Sequence, residues 1–447
     1  MSQEQSLLHR ILDHANRPDP YPLYAELRRS PVWHEPGGPY VISGFQDIEQ
    51  LLHDPRISSD SRNLAADTGD PLIEAVEAGG NGGTGSTTDG GPDGGTGSGT
   101  DGGPDGNGAG MLPPGFLRLD PPEHDRLRRM TNRPFGPPHS PRTVHDMHAE
   151  LTAVVDGLID RIGSEADPED VDLVGAFAYP FPVTVICRLL GVPREDEPRF
   201  HTWAEAVAAS LDPDPDAPDP TDRLRASHDA RLALGGYLAD LIEDRRRHPG
   251  EDMLSRLAAG GGPDGPMSTV ELLTTSALLL VAGHETTVNL IANGMLTLLR
   301  HPAALERLRR DPGFAAPLVE ELLRYEPPVQ LLPQRTPLSP VEVRGTTIPR
   351  GASMWLVLAA GNRDPEQFGD PERFDPDRRD LRHLGLGSGI HSCFGAPLAR
   401  LEAQIALSRF AARLERPRLL ADPPPYRRNA VLRGPRSLPV ACAGLRP

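Results

Sequence analysis

Lysine is absent from this sequence of 447 residues, and all 46 lysine-plus-arginine positions are arginine. Together with 50 prolines and 46 glycines, this composition indicates a GC-rich gene and excludes no function. Cysteine is scarce as well. Cys187, Cys393 and Cys442 are too few for a disulfide framework, and they are compatible with a reducing cytosol.

Long apolar runs are also missing. The most apolar segment, residues 277–282, is far too short to span a bilayer, and residues 1–10 lack the apolar stretch of a signal peptide. The formal net charge of −17 makes nucleic acid and anionic membrane surfaces poor partners. We therefore expect a cytoplasmic protein that binds neither nucleic acid nor membrane.

Residues 79–110 lack any large apolar or aromatic side chain. They consist almost wholly of Gly, Asp, Thr, Ser, Pro and Asn, and the heptapeptide TDGGPDG begins at both Thr88 and Thr100. Because such a segment cannot bury enough surface to offset its ordering entropy, we expect a disordered insert. Calcium-binding β-roll repeats are the alternative, but the apolar position that each such repeat needs is missing.

Patterns of helical period dominate the rest of the chain, separated by glycine and proline. Ser268 and Glu271 predict a capping box at the start of the longest helix. A strand region is expected at residues 341–357 and an acidic, proline-rich loop at residues 212–221. The predicted helices cover residues 45–52, 124–132, 144–162, 225–246, 269–300, 302–308 and 316–325, with a last helix from about residue 397. The predicted fold class is mainly α with a small β part.

Cys393 lies in a glycine-rich segment, LGSGIHSCFGAPLARLE, at residues 386–402. Pro397 suits the first turn of a helix, so Cys393 would precede a helix N-terminus whose positive end favours a thiolate. Such a thiolate can ligate iron, and its electron donation favours cleavage of the O–O bond. The alternative is a buried cysteine that acts only as a small hydrophobe, as we expect for Cys187. Three glycines argue against it, because they allow sharp turns and the close approach of a flat ligand: Gly387, Gly389 and Gly395.

A second motif, AGHETT at residues 282–287, lies inside the longest apolar helix. Gly283 predicts a local distortion of that helix. The hydroxyl of Thr286 can bond back to the carbonyl of Ala282, or the groove can admit water instead. Glu285 and Thr286 place a carboxylate beside a hydroxyl, which can relay protons. Taken alone, an exposed glutamate and an ordinary helical threonine are an equal alternative.

The cysteine segment resembles the signature loop of the cytochrome P-450 superfamily, Phe-Gly-x-Gly-x-His/Arg-x-Cys-x-Gly, and departs from it only at Leu386, where phenylalanine is usual. The helix motif resembles the family's Ala-Gly-x-Asp/Glu-Thr segment. The resemblance implies one large P-450 domain over residues 1–447, interrupted by the insert at residues 79–110. It also implies a haem b cofactor with iron bound to Cys393, and a redox potential that differs because of Leu386.

The same resemblance assigns roles to the polar residues. It implies that Glu285 delivers protons and that Thr286 supports O–O cleavage. Basic side chains at four positions match those that anchor the two haem propionates in the family, by charge-assisted hydrogen bonds: His124, Arg128, Arg335 and His391. For any one of these four alone, a solvated surface role would be the better interpretation.

Two further elements of the resemblance are structural. Glu321 and Arg324 match the family's Glu-x-x-Arg pair, which alone is weak evidence because such i,i+3 pairs are common on solvated faces. Arg373, in a Pro-Glu-Arg-Phe segment, is implied to complete this pair and support the cysteine loop.

The implied function is that of a monooxygenase that hydroxylates or epoxidises an apolar small molecule in secondary metabolism. The resemblance implies a monomer that receives electrons from NAD(P)H through a ferredoxin and its reductase. Arg126, Arg129 and Arg133 fall on the helix side opposite His124 and Arg128, and we expect them to face solvent and attract the acidic ferredoxin. The residues expected to line the pocket are apolar and leave fatty acids, terpenoids, steroids and polyketides open: Val329, Leu331, Leu332 and Val431.

Three other functions are weighed against this one. They are a peroxygenase that uses hydrogen peroxide directly, an enzyme that rearranges its substrate without dioxygen, and a non-catalytic haem-binding protein. Family members of the first two kinds commonly lack the acid–alcohol pair, and a carrier has no need of a proton relay. Glu285 and Thr286 therefore favour reductive activation of dioxygen.

Overall fold

The computed structural model describes residues 6–65, 115–135, 147–165, 169–211, 220–260 and 264–446. The insert predicted at residues 79–110 lies outside these ranges, and so does most of the loop predicted at residues 212–221. The last two residues of that predicted loop belong to a helix, because helix formation begins at Pro220 and not at Arg225.

Helices make up most of the described chain. In chain order they are α1 (Leu7–Leu12), α2 (Tyr21–Leu27), α3 (Phe45–His53), α4 (Glu123–Phe135), α5 (His148–Glu165), α6 (Pro180–Leu190), α7 (Glu197–Leu211), α8 (Pro220–Arg247), α9 (Met253–Ala259), α10 (Thr269–Arg300), α11 (Pro302–Arg310), α12 (Ala315–Tyr325), α13 (Leu358–Gly361) and α14 (Ala396–Arg413).

The strands are short and form small sheets. They are β1 (Val32–His34), β2 (Tyr40–Ile42), β3 (Ile57–Ser58), β4 (Val171–Asp172), β5 (Leu332–Pro337), β6 (Val341–Val343), β7 (Thr346–Ile348), β8 (Met354–Leu356), β9 (Leu414–Glu415), β10 (Arg418–Leu419), β11 (Pro439–Ala441) and β12 (Gly444–Leu445). The largest sheet has the order β1-β2-β8-β5-β3, in which β2 and β8 pair in parallel and the other neighbours are antiparallel. It brings β5, and with it Arg335, beside the N-terminal strands.

The long helix α10 begins at the predicted capping box. The Ser268 side chain accepts a hydrogen bond from the Glu271 amide at 3.2 Å, and the Glu271 carboxylate accepts one from the Ser268 amide at 2.8 Å. The helix α10 is continuous from Thr269 to Arg300, so any distortion at Gly283 does not interrupt it, and that distortion stays a prediction. Gly283 allows close packing on α6, since a Cβ there would lie 2.7 Å from Cδ1 of Ile186.

The main apolar core forms around α10, which packs against α6, α8 and α14. Two smaller cores join the N-terminal helices to the largest sheet. Among the described residues, no helix is both long and apolar enough to cross a membrane. This arrangement leaves the N-terminal end of α14 facing the middle of α10, and the cavity between them is lined by Cys393 and Thr286.

Candidate functional site

The loop that carries Cys393 lies directly before α14. The amide of Cys393 donates to the carbonyl of Leu386 at 2.8 Å, which closes the loop into a turn. Gly389 has φ +66°, and a Cβ at that position would lie 1.9 Å from the carbonyl oxygen of Leu52. The loop therefore needs glycine there to rest against the end of α3, and this contact fixes where Cys393 is presented.

The sulfur of Cys393 lies in a cavity and not at the outer surface. Cys393 is exposed, but protein surrounds the cavity closely enough that burial raises the pKa of its thiol. The amide of Gly395 donates toward the sulfur, and the charges of Arg128 and Arg400 also lower this pKa. Burial thus raises the pKa of the thiol, whereas the Gly395 amide and the two arginine charges lower it. A cation bound at the sulfur would lower this pKa further and so favour the thiolate.

The middle of α10 forms the opposite wall of this cavity. Its lining includes Cys393 from the loop and Thr286 from α10, in a mainly apolar surround: Ile186, Leu279, Ala282, Gly283, Thr287, Phe394, Gly395, Leu398, Ala399 and Glu402. The hydroxyl of Thr286 donates to the carbonyl of Ala282 at 2.6 Å, the first of the two geometries considered above. Its proton is therefore engaged, and its oxygen lone pairs are left to accept a hydrogen bond.

Glu285 does not line this cavity, although it neighbours Thr286 in sequence. Its carboxylate is buried and forms an ion pair with Arg427, with 2.9 Å between Oε1 and Nη1. The amide of Asn289, one turn further along α10, donates weakly to the same oxygen at 3.5 Å. The sequence analysis did not identify Arg427, because the local pattern of residues 421–435 does not indicate that an arginine there pairs with Glu285 in α10.

The four basic residues expected at the haem propionates come from three elements and lie together. His124 is buried at the start of α4, and its ring centroid is 4.4 Å from that of His391 in the cysteine loop. Arg128 follows one turn later and donates to the carbonyl of Ser392 at 2.6 Å. Arg335 on β5 lies near enough that its charge lowers the pKa of His391.

Several nitrogen atoms of this basic cluster are buried and have no hydrogen-bond partner among the described residues. Within the described ranges, no hydrogen-bond partner is found for Nε2 of His124, Nη1 of Arg128 or either ring nitrogen of His391. Burial lowers the pKa of Arg335 to about 10, and burial together with the neighbouring His124, Arg335 and Arg128 lowers the pKa of His391 to about 3. Buried donors without acceptors are costly, so the cluster is suited to a ligand with anionic acceptor groups.

Comparisons with known proteins agree with this geometry. The family model described as Cytochrome P-450 matches residues 110–311 and 315–437. The chain belongs to the cytochrome P-450 family. The P-450 monooxygenase PikC of Streptomyces venezuelae is 39% identical to it over 433 residues, which are 94% of this chain and 91% of PikC.

Other relatives extend the agreement to the fold. The 6-deoxyerythronolide B hydroxylase of Saccharopolyspora erythraea is 38% identical over 328 residues, 73% of this chain and 77% of its own length. The ligand-free crystal structure of CYP164A2 from Mycobacterium smegmatis matches with a TM-score of 0.78 and 40% identity, covering 97% of this chain and 99% of that one. The predicted fold class and the predicted activity, that of a haem-thiolate monooxygenase, are both confirmed.

The Glu-x-x-Arg pair of this P-450 is buried, as a structural role requires. Arg324 forms two hydrogen bonds of 2.7 Å to Glu321, and both side chains are fully buried. The prediction that Arg373 completes the pair is wrong: its side chain is 65% exposed and pairs with Asp375. Arg378 approaches Glu321 instead, at 3.7 Å, while Arg373 contributes only its carbonyl, which accepts from Arg324.

The three arginines expected to attract a ferredoxin carry their own acidic partners. Arg129 and Arg133 pair with Asp264 at 2.9 Å and 3.4 Å, and Arg126 pairs with Glu271 at the start of α10. Arg129 is 57% exposed, and Arg126 and Arg133 are 33% and 31% exposed, so all three reach solvent and their attraction of a ferredoxin stays a prediction. The three arginines share two carboxylates, so these ion pairs reduce the positive charge on this side of α4 without cancelling it.

The two segments expected at the substrate pocket are in contact with each other. Gln330 donates its amide to the carbonyl of Val431 at 2.8 Å, and Val329 pairs with Leu432, so the two segments are in contact. Leu331, however, is 1% exposed and packs into the N-terminal apolar core. None of these residues lies among those that line the described cavity at Cys393.

Glu402 is a cavity residue that sequence reasoning missed. Although it belongs to α14 and lies nine residues after the cysteine in sequence, it is 2% exposed. In the described part of the chain its Oε2 has no hydrogen-bond partner, and burial raises its pKa well above the usual value. Burial therefore favours the protonated form of this carboxyl group at the wall of the site.

We expect Glu402→Gln to raise the free energy of unfolding relative to wild type, by an amount that grows as pH rises above about 4.5. Burial raises the pKa of Glu402 in the folded state above its unfolded value of about 4.5. The free energy of unfolding of the wild type is therefore unaffected by this group below about pH 4.5, and it falls as pH rises toward the folded-state pKa. Glutamine carries no such proton. Denaturant unfolding of both proteins from pH 4.5 to 8.5 measures the difference, with Glu415→Gln in a partly exposed ion pair as the control. A difference that does not grow with pH contradicts the raised pKa of Glu402.

Proposed function

We propose that this P-450 hydroxylates or epoxidises an apolar molecule derived from a polyketide, such as a macrolactone. The observation that carries the proposal is the cavity at which Cys393 and the Thr286 hydroxyl oppose each other within a mainly apolar lining. The substrate class is supported by the relatives, which include the 6-deoxyerythronolide B hydroxylase and the polyketide biosynthesis P-450 PksS of Bacillus subtilis, 36% identical over 327 residues.

The residues present fit a haem. Cys393 would bind its iron, and the buried donors of the basic cluster would bind its two propionates: His124, Arg128, Arg335 and His391. Haem bound in this way would supply the reductive activation of dioxygen. The unsatisfied nitrogen atoms of His124, Arg128 and His391 are what an anionic ligand would satisfy.

Glu285 and Thr286 would control the protons. The Thr286 hydroxyl already donates to Ala282, so toward the cavity it accepts a hydrogen bond and holds a donor, such as a water molecule, in place. Glu285, buried beside it, would exchange protons with that position when its side chain leaves Arg427. Arrangement of donors in advance of the reaction is worth more in such an enclosed site than in water.

The wider setting follows the same proposal. We place the chain in the cytoplasm as a monomer, with residues 1–447 forming one P-450 domain that carries the insert at residues 79–110. Electrons would come from NAD(P)H through a ferredoxin and its reductase. Arg126, Arg129 and Arg133 share two acidic partners and keep a net positive charge, which would attract the ferredoxin to this side of α4.

An oxygen-labelling experiment tests the proposed function. The purified P-450 is supplied with NAD(P)H, a ferredoxin and its reductase under ¹⁸O₂, with a panel of macrolactones, terpenoids, steroids and fatty acids. We expect macrolactones to give the largest substrate-induced spin-state shift and a product with one ¹⁸O atom, formed only with dioxygen and the electron donor. Equal product formation from hydrogen peroxide alone, or turnover restricted to another substrate class, would contradict it.

A further inference from the structure

Glu285 lies in α10, and Arg427 contacts it from a loop outside that helix. The ion pair of 2.9 Å lies almost out of solvent, with the side chains 12% and 7% exposed. An arginine at this distance favours the carboxylate form of glutamate. His284, the preceding residue, does not supply this charge: burial and the positive charge of Arg427 lower its pKa to about 3.

Arg427 belongs to a C-terminal loop, residues 425–436, whose two ends pair with each other. The Arg427 amide donates to the Gly434 carbonyl at 3.2 Å, and the Arg436 amide donates to the Pro425 carbonyl at 2.8 Å. Tyr426 and Pro435 form an isolated antiparallel bridge between these contacts. Residues 425–427 and 434–436 thus pair at the base of the loop, and Arg427 is one of these paired residues.

The base of the C-terminal loop rests directly on α10. A Cβ on Gly434 would lie 2.2 Å from Oδ1 of Asn289, so the loop backbone packs against the helix at the residue that also contacts Glu285. The side chain of Asn293 donates to the carbonyl of Arg433 at 3.0 Å, one further turn along the helix. Arg427, Gly434 and Arg433 therefore hold the loop along one stripe of α10.

The tip of the same loop reaches the segment expected to form the substrate wall. The side-chain oxygen of Asn429 accepts hydrogen bonds from the amides of Val431 and Leu432 at 2.8 Å and 3.0 Å, which folds the tip. The carbonyl of Val431 accepts from Gln330, as described above. One short loop thus contacts Glu285 at its base and residues 329–330 at its tip.

We propose that Arg427 is a positioning residue that holds the Glu285 carboxylate away from the cavity, so that proton supply to Thr286 depends on the placement of the C-terminal loop. This inference rests on the proton-transfer role proposed for Glu285. Loss of Arg427 would remove the cation that lies 2.9 Å from the buried Glu285 carboxylate, which would then protonate or turn elsewhere. A substrate that moves the loop tip would alter the same ion pair.

The test compares Arg427→Gln, Arg427→Lys and Glu285→Gln in the haem-loaded enzyme. We expect Arg427→Gln to lower the product formed per NAD(P)H consumed about fivefold, which is less than the roughly 10²–10⁴-fold that a group transferring the proton itself contributes. Haem content and the spectroscopic dissociation constant for substrate should stay within about twofold, because Arg427 is not among the residues that line the described cavity at Cys393. Arg427→Lys should restore most of the coupling, since it keeps the positive charge. Arg409→Gln, which removes an ion pair with Asp156 between α5 and α14, is the matched control.

Two further measurements separate the possible failures. Infrared spectroscopy without turnover should show a protonated-carboxyl band in Arg427→Gln that disappears in the double variant with Glu285→Gln. In that double variant the loss of coupling should not exceed the loss caused by Glu285→Gln alone. If Glu285→Gln leaves coupling unchanged, the role proposed for Glu285 fails and this inference fails with it. If Glu285→Gln uncouples the enzyme but Arg427→Gln does not, or if their losses simply multiply, the inference alone is overturned.

Discussion

Replacement of Cys393 by alanine is expected to abolish the thiolate-type Soret band of the reduced carbon-monoxide complex completely. Cys393 is the cavity residue with a sulfur, and the amide of Gly395 and the charges of Arg128 and Arg400 act in favour of its thiolate. Alanine removes the ligand and leaves the loop backbone, whose bond from residue 393 to Leu386 involves only main-chain atoms. The measurement is the difference spectrum, with total haem determined in parallel on the same sample.

Cysteine at another position provides the control for this experiment. Cys187 is buried in α6, and burial raises its pKa to about 12, so Cys187→Ala should leave the band unchanged. Cys393→His distinguishes loss of the ligand from loss of the fold, because an imidazole can still bind iron but gives a different spectrum. Survival of the thiolate-type band in Cys393→Ala would show that another residue is the iron ligand.

Elements whose determinants lie close together in sequence were predictable. The helix α10 was predicted with its bounds and its capping box, because apolar periodicity and the Ser268–Glu271 spacing are local properties. The turn before Cys393 and the start of α14 followed from glycine and proline positions in the same way. The buried ion pair of Glu321 and Arg324 spans a single helical turn, so its pairing, though not its burial, was available from sequence.

Features that depend on three-dimensional contact were missed. The helix α6 is buried on nearly all sides, so its apolar residues show no amphipathic period that could distinguish it from other buried segments. The close packing of Gly283 against Ile186 was missed, because the two residues lie on helices that are distant in sequence. The pairing of Arg427 with Glu285, and the burial of Glu402, likewise depend on elements that are distant in the chain.

The error at Arg373 has a more specific cause. The segment between α13 and the cysteine loop is irregular, and Asp370 adopts a left-handed backbone with φ +48°. This turn sends the Arg373 side chain to solvent and brings Arg378 to Glu321. Sequence similarity identified the correct segment, but the choice between two arginines five residues apart depends on the path of the backbone.

Removal of the Thr286 hydroxyl is expected to divert electrons from product to hydrogen peroxide or water. In both Thr286→Ala and Thr286→Val, the product formed per NAD(P)H consumed should fall about tenfold or more, on the scale of a positioned proton-transfer group. Haem content and substrate affinity should change by less than about twofold, because the hydroxyl is needed during oxygen activation and not during binding. The measurements are product yield, peroxide yield and oxygen consumption in the same reaction.

The geometry of the hydroxyl decides which variants are informative. Because Thr286 donates to Ala282 at 2.6 Å, both variants remove that bond as well as the acceptor that faces the cavity. Thr297 is the matched control, since it donates to Asn293 at 2.7 Å in the same helix but does not line the cavity. Thr297→Val should leave coupling unchanged, and Thr286→Ser, which keeps the hydroxyl, should restore most of it. Equal coupling in Thr286→Val and wild type would show that Thr286 only packs, and equal losses in Thr286→Val and Thr297→Val would assign the effect to the helix itself.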